Sequence, residues 1–158
     1  MIERERKFLV RDSSFLEGHH FSLIVQGYVF VGEDCAVRVR RERSSGKELA
    51  PFLAVKGAGR GGVREKFEME ISFELAGTLM LASVGKVVKL RYQLVDQWGQ
   101  IWTIDAFQFQ HAGLVLAELE VAPGAKAPSL PSWCGREVTD DLRYLNQSLA
   151  LDPTQFYA

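Results

Sequence analysis

Charged and apolar residues alternate along this chain with a period of two, the period of a β-strand whose successive side chains point to opposite faces. The first ten residues set the pattern, with Glu3, Glu5 and Lys7 on one side of the pleat. Residues 21–31 form a β-branched and aromatic run that reads as a buried strand, in which Gly27 marks a bend or a bulge. Residues 35–43 place Val37 and Val39 on one face and Arg38 and Arg40 on the other. Ser44 to Lys47 supply a turn, and residues 49–56 read as the returning strand of a hairpin. Residues 63–71 set Arg64, Lys66, Glu68 and Glu70 against Phe67, Met69 and Ile71, with Glu65 breaking the apolar side. A further hairpin over 86–96 and 100–107, turned at Trp98 and Gly99, carries Lys89, Arg91 and Asp105. An eighth strand over 114–121 shows Glu118 and Glu120 against Leu119 and Val121.

Two helices interrupt the strands. Ser72 is placed to cap one whose stripe is Phe73, Leu75, Ala76, Leu79 and Ala82 and whose end is marked by Gly85. Thr139 is placed to cap a last helix with Asp140 and Asp141 in its first turn, Arg143, Tyr144 and Asn146 along it, and Pro153 past its end. Residues 57–62 match the spacing of a dinucleotide fingerprint, but that motif must open a helix and the next segment here alternates like a strand. A flexible connection is expected there instead.

Eight strand-like segments, mostly joined by short turns, predict a mainly β (α+β) fold, an eight-stranded antiparallel closed β-barrel with a charged lumen and helices packed outside. The 158 residues, 47% hydrophobic and 25% charged, suit a single domain spanning 1–158. A net charge of -1 argues against nucleic acid and anionic membrane surfaces as partners. Neither a bilayer-length apolar run nor a leader-like start is present, so a cytoplasmic protein is expected. Cys35 and Cys134 stand in no CxxC arrangement and are read as free thiols. His19, His20 and His111 lack zinc-ligand spacing and are read as surface or structural residues.

Which face of the sheet turns inward decides the function. A solvated outer face would mix in Ser, Thr, Asn and Gln and would avoid like charges side by side, because these cost stability. Here acids neighbour acids and bases neighbour bases, which suits a lumen that holds a metal-bound polyanion: Lys and Arg neutralise phosphate oxygens while carboxylates ligate a hard cation. A polyphosphate site is the reading that follows from the residues alone.

The ordered motifs then resemble a known family, the CYTH domain of the triphosphate tunnel metalloenzymes, which includes class IV adenylate cyclases and thiamine triphosphatases. The N-terminal ExExK strand is Glu3-Arg-Glu-Arg-Lys7, followed by Gln26-Gly-Tyr28, Arg38-Val-Arg40, Lys56-Gly57, Arg64 with Glu68-Met-Glu70, Lys89-Leu-Arg91, Asp105-Ala-Phe107, Glu118-Leu-Glu120, Glu137-Val-Thr139 and Arg143-Tyr-Leu-Asn146. The resemblance implies a tunnel open to solvent and a set of roles. Glu3, Glu5, Glu118 and Glu120, with Asp105, would bind Mg²⁺ or Mn²⁺; Lys7, Arg38, Arg40, Lys56, Lys89 and Arg91 would grip the triphosphate, with Arg64 and Arg143 as further phosphate contacts. Glu5 and Lys7 would act at the reacting phosphate, Lys7 on the attacking water, and Glu68 and Glu70 would fix the basic residues. The chain is most similar to the short bacterial members that hydrolyse inorganic triphosphate. Adenylate cyclase, nucleoside triphosphatase and thiamine triphosphatase activities stay open, as does a non-catalytic polyphosphate-binding module, and the chain is a monomer or a homodimer. Trp98, Trp102 and Trp133 are the candidates for stacking an organic base at the tunnel mouth, although tryptophans of this kind more often pack in cores.

Overall fold

The computed structural model describes residues 1–152, so Pro153 lies outside the described residues. In chain order the strands are β1 (Ile2–Val10), β2 (Ser22–Val31), β3 (Cys35–Ser44), β4 (Lys47–Glu48), β5 (Phe52–Gly57), β6 (Val63–Glu70), β7 (Gly85–Val95), β8 (Ile101–Phe107), β9 (Val115–Glu120) and β10 (Cys134–Glu137). Helix α1 (Phe73–Leu81) precedes β7 and α2 (Asn146–Leu151) follows β10. Neighbouring strands are antiparallel in the order β1-β6-β5-β3-β2-β7-β8-β9, and the pairing of β9 with β1 closes the ring. The eight-stranded barrel expected from the alternation is therefore present, with β4 extending the β3 hairpin and β10 added along β1.

The second edge of β1 shows how closure is achieved. Every strand N–H and C=O needs a partner when buried, and β6 covers only Ile2 to Arg4. Beyond that, Glu5 donates its N–H to the Gly62 carbonyl at 3.0 Å, Lys7 donates to Thr139 Oγ1 at 3.0 Å and accepts from the Val138 N–H at 2.8 Å, and β10 pairs Phe8 and Val10. The 57–62 segment is thus a fixed turn bound to β1 and not a loose connection. Gly62 sits at φ +73°, and a Cβ there would collide with the Glu5 carbonyl. The strand that follows it confirms that no dinucleotide loop is formed.

The Ser72 cap is as expected, its Oγ accepting from the Leu75 N–H at 3.1 Å, but α1 stops at Leu81 and Gly85 already belongs to β7. Gly27 stays in register with Val39 and Lys86; the β2 irregularity falls between Tyr28 and Phe30. Gly27 serves close packing instead, since a Cβ would stand 2.7 Å from Met80 Sδ and run into Ser83 beyond α1.

The C-terminal segment differs most from expectation. Thr139 does not cap a helix, because its hydroxyl is occupied by the Lys7 N–H and by Glu137. Asp141 caps a short 3₁₀ turn over Leu142–Tyr144 through the Arg143 N–H at 3.2 Å, and α2 begins only at Asn146.

Two apolar clusters hold this arrangement. Phe8, Val10, Leu16, Trp102, Ile104 and Leu119 form one on the outer wall of β1, β8 and β9, where Phe15 and Trp133 pack against it. The other gathers Tyr28, Ala36, Val87, Phe107 and Leu116 with Val138, Tyr144, Leu149 and Ala150. Its strand residues lie directly opposite lumen residues: Phe107 faces Lys89, Leu116 faces Asp105 and Val87 faces Gln26. They therefore point inward. So α1 packs on the outside, while the segment around α2 fills one end of the barrel with an apolar plug.

Candidate active site

The remainder of the lumen is a cavity of about 1090 Å³ lined by Glu3, Glu5, Lys7, Arg38, Arg40, Lys56, Arg64, Lys89, Arg91, Glu118 and Glu120, among others. The ionic faces of the strands do turn inward. Their grouping follows from register. Glu5 lies opposite Glu120 and Lys7 opposite Glu118, so the ExE pair of β1 and the ExE pair of β9 share one patch of wall. Arg38 and Arg40 enter from β3, Lys56 from β5, and Lys89 and Arg91 from β7, which places the basic residues around the other wall.

Electrostatics set the two walls apart. The charge of Glu118, together with burial and Glu3, raises the Glu5 carboxyl to about 7. Burial would raise Glu118 as well, but the Lys7 ammonium 3.3 Å from its Oε1, together with Lys89 and Arg91, outweighs this and holds it near 2. Glu3 is likewise exposed to the upward push of burial, which Lys56 and Lys66 overcome, leaving it below the usual range. On the basic wall, burial and Arg38 bring Lys56 down to about 8, and burial with Arg38 and Arg91 brings Arg40 down to about 10. Glu5 on one wall and Lys56 and Arg40 on the other thus carry charge that burial and like-charged neighbours make unfavourable. Each would gain from a ligand of the opposite sign.

A hard dication fits the acidic wall. The donors are carboxylate oxygens, which suit Mg²⁺ or Mn²⁺, and the pressure on Glu5 shows a surplus of negative charge at that point. Among the described residues, no three His, Cys, Asp or Glu side chains converge to hold a metal by themselves. That arrangement suits an ion bound through one or two carboxylates and completed by phosphate oxygens and water.

Two sequence candidates lie outside the lining. Asp105, 1% exposed, gives its carboxylate to Lys89 Nζ at 2.7 Å and to Arg91 Nε and NH2 at 2.8 Å each. Burial alone would raise its pKa, but Arg91 and Lys89 hold it far below the carboxylate range. Asp105 therefore anchors the two β7 cations and does not line the cavity with the carboxylates of the acidic wall. Burial pulls Lys89 down to about 7 and Asp105 keeps it from falling further. Arg143, with its side chain 64% exposed, pairs with Asp141 at 2.7 Å and lies over Tyr144, away from the cavity. Arg143 thus stands apart from the basic residues gathered around the cavity.

Other residues reach the cavity without having been assigned to the site. Asn146 Oδ1 accepts from Lys89 Nζ at 2.8 Å and from Gln26 Nε2 at 3.4 Å, and Gln26 Oε1 accepts from Arg40 Nε at 3.2 Å. With the Tyr144 carbonyl, which accepts from Lys7 Nζ at 3.2 Å, they form the floor where the ionic lumen meets the plug. A lone amide inside the apolar 21–31 run was the signal for Gln26. Glu68 supports Arg38 as expected, at 3.2 Å, whereas Glu70 is exposed at the end of β6. None of the three tryptophans lines the cavity: Trp102 is fully buried in the outer cluster, Trp133 packs edge-on to it at 5.1 Å, and Trp98 is exposed in the β7–β8 turn.

A family model described as CYTH domain matches residues 1–157. An inorganic triphosphatase of Acetivibrio thermocellus is 36% identical over 153 residues, covering 96% of this chain and 94% of that protein. An inorganic triphosphatase of Nitrosomonas europaea is 36% identical over 155 residues, covering 96% and 98%. Among solved structures, the inorganic triphosphatase NE1496 superposes with a TM-score of 0.69 at 30% identity, covering 95% of each chain.

Proposed function

The chain belongs to the CYTH domain family, and we propose on that premise that it is a divalent-metal-dependent inorganic triphosphatase that takes tripolyphosphate into the ionic half of its barrel. The observation that carries this reading is the division of one lumen into an acidic wall and a basic wall, matched to a metal and to a polyanion respectively. Both curated relatives carry the name of that activity.

Mg²⁺ or Mn²⁺, held by Glu3, Glu5, Glu118 and Glu120, would supply Lewis-acid stabilisation of phosphate charge. The chain's own residues do the rest by position. Arg38, Arg40, Lys56, Lys89 and Arg91 neutralise the phosphate oxygens, and Arg64 reaches the same cavity from β6. Asp105 fixes the Lys89 and Arg91 side chains, so that they meet the substrate in one orientation. Lys7, set between Glu118 and the Tyr144 carbonyl, orients the attacking water. The water oxygen bonds to a terminal phosphorus, the bond to the bridging oxygen breaks, and phosphate and diphosphate leave with release of a proton. No protein nucleophile takes part.

Two free thiols are consistent with a cytoplasmic location, and among the described residues no helix is long and apolar enough to cross a membrane. The experiment is phosphate release from tripolyphosphate, ATP and thiamine triphosphate with Mg²⁺ or Mn²⁺, with cyclic AMP assayed in the ATP reactions. Preference for tripolyphosphate is expected, because no tryptophan stands at the cavity to stack a base. Cyclic AMP formation with tripolyphosphate untouched would make the protein a cyclase, and full turnover in Lys7→Met would remove Lys7 from the role given to it.

A further inference from the structure

Lys66 was not among the residues assigned to metal or phosphate, yet it occupies the middle of an ion-pair chain that runs between them. Its Nζ is 3.5 Å from Glu3 Oε1 and 3.4 Å from Glu68 Oε2. Glu3 gives its other oxygen to Lys56 at 3.1 Å, and Glu68 Oε2 also meets Arg38 NH2 at 3.2 Å. The order Lys56, Glu3, Lys66, Glu68, Arg38 thus crosses the barrel wall from β5 through β1 and β6 to β3. Arg38 is 3% exposed, so its charge has little water to fall back on.

The position of Lys66 follows from the pleat. It lies opposite Lys56 in the β5–β6 register, which sets two ammonium groups side by side on the inward face. Two like charges in that relation are tolerated when carboxylates stand between and beside them, and Glu3 and Glu68 do so. A cation approaching Glu3 must compete with the Lys66 ammonium. A phosphate approaching Arg38 must compete with the Glu68 carboxylate.

From these contacts, and resting on the triphosphatase reading, we propose that Lys66 is a positioning residue that couples entry of the metal to entry of the triphosphate. When a phosphate takes Arg38, Glu68 is left to Lys66, and Lys66 moves its weight from Glu3 to Glu68. Glu3 is then free to meet the dication. Because coupling between two binding events is reciprocal, the metal tightens triphosphate binding by the same factor.

The test is calorimetric titration of the full chain with Mn²⁺, alone and with a methylene-bridged, non-hydrolysable triphosphate. Lys66→Met removes the competitor at Glu3, so Mn²⁺ alone binds tighter by roughly fivefold or more, and the coupling factor falls correspondingly. Lys66→Arg keeps the charge and retains most of the coupling. Glu68→Gln leaves Lys66 with Glu3 alone and weakens Mn²⁺ binding, which keeps the proposal testable if Lys66→Met does not fold. Lys47→Met and Glu74→Gln, both exposed and outside the cavity lining, repeat the same charge changes as controls. Their Mn²⁺ affinities stay within about twofold of wild type. Lys66→Met or Glu68→Gln behaving like its charge-matched control would overturn the proposal. A wild type that takes up no Mn²⁺ even with the triphosphate analogue would overturn the metal-dependent reading itself.

Discussion

The two halves of the barrel interior are built by the same strands, yet one is ionic and the other apolar. Along β1 the inward positions pass from Glu3, Glu5 and Lys7 to Leu9; along β7 they pass from Arg91 and Lys89 to Val87; along β8 from Asp105 to Phe107; along β9 from Glu118 to Leu116. The boundary is a layer where Lys7 meets the Tyr144 carbonyl and Lys89 meets Asn146 while lying 5.5 Å from the centre of the Phe107 ring. Burying apolar surface stabilises the plugged half. The ionic half gathers like charges that oppose folding, and its geometry is held by the half below it and by the outer cluster. Function sits where stability is given up.

The largest effect is expected at the boundary between the two halves. Asp105→Asn leaves Lys89 and Arg91 buried beside a neutral amide, and loss of one partner of a buried ion pair costs about 3–5 kcal/mol. A fall in Tm of about 10 °C or more is expected, together with weaker triphosphate binding, because both cations lose the group that aims them. Leu149→Ala opens a cavity in the plug, where Leu149 is fully buried, and costs about 2–5 kcal/mol. Thermal unfolding should register that loss while Mn²⁺ affinity stays within about twofold. Equal loss of metal binding in this variant would show that the halves are not separable.

A smaller effect appears in the pH dependence of stability measured in EDTA. The folded pKa of Glu5 is about 7, raised from 4.5 by Glu118 and burial, so between those values the folded state holds a proton that the unfolded state has released. The contribution of Glu5 to stability is therefore fully present below pH 4.5 and is lost as pH rises to about 7. Glu5→Gln cannot ionise and should unfold about 5 °C above wild type at pH 8, with the gap closing as pH falls toward 4.5. The smallest effect is expected from Arg143→Ala, since that side chain pairs with Asp141 outside the cavity. Its phosphate release should stay within about twofold of wild type.

The barrel was legible in the sequence because a period of two is read directly from charge: each inward Glu, Lys or Arg announces its strand's orientation. The acidic and basic walls were legible for the same reason. Register was not, and register decides Asp105. A carboxylate on an inward face looks like a metal ligand until Arg91 is found opposite it and Lys89 beside it. The plug was hidden because residues 139–151 carry cap-like signals, Thr139 and Asp141, of which one binds the β1 backbone and the other binds Arg143. Arg143 then follows Asp141 outward, and Asn146 turns in. The contact that fixes the start of this segment, between Thr139 and Lys7, is long-range, and no local pattern encodes it.

Whether the acidic wall holds the catalytic metal is decided by phosphate release from tripolyphosphate by wild type and Glu5→Gln, each in EDTA, Mg²⁺ and Mn²⁺. Release that requires the metal and falls by about a hundredfold or more in Glu5→Gln is the result expected if the acidic wall holds the ion. Release that persists in EDTA, or that Glu5→Gln retains at the wild-type rate, would contradict the assignment of catalysis to that wall.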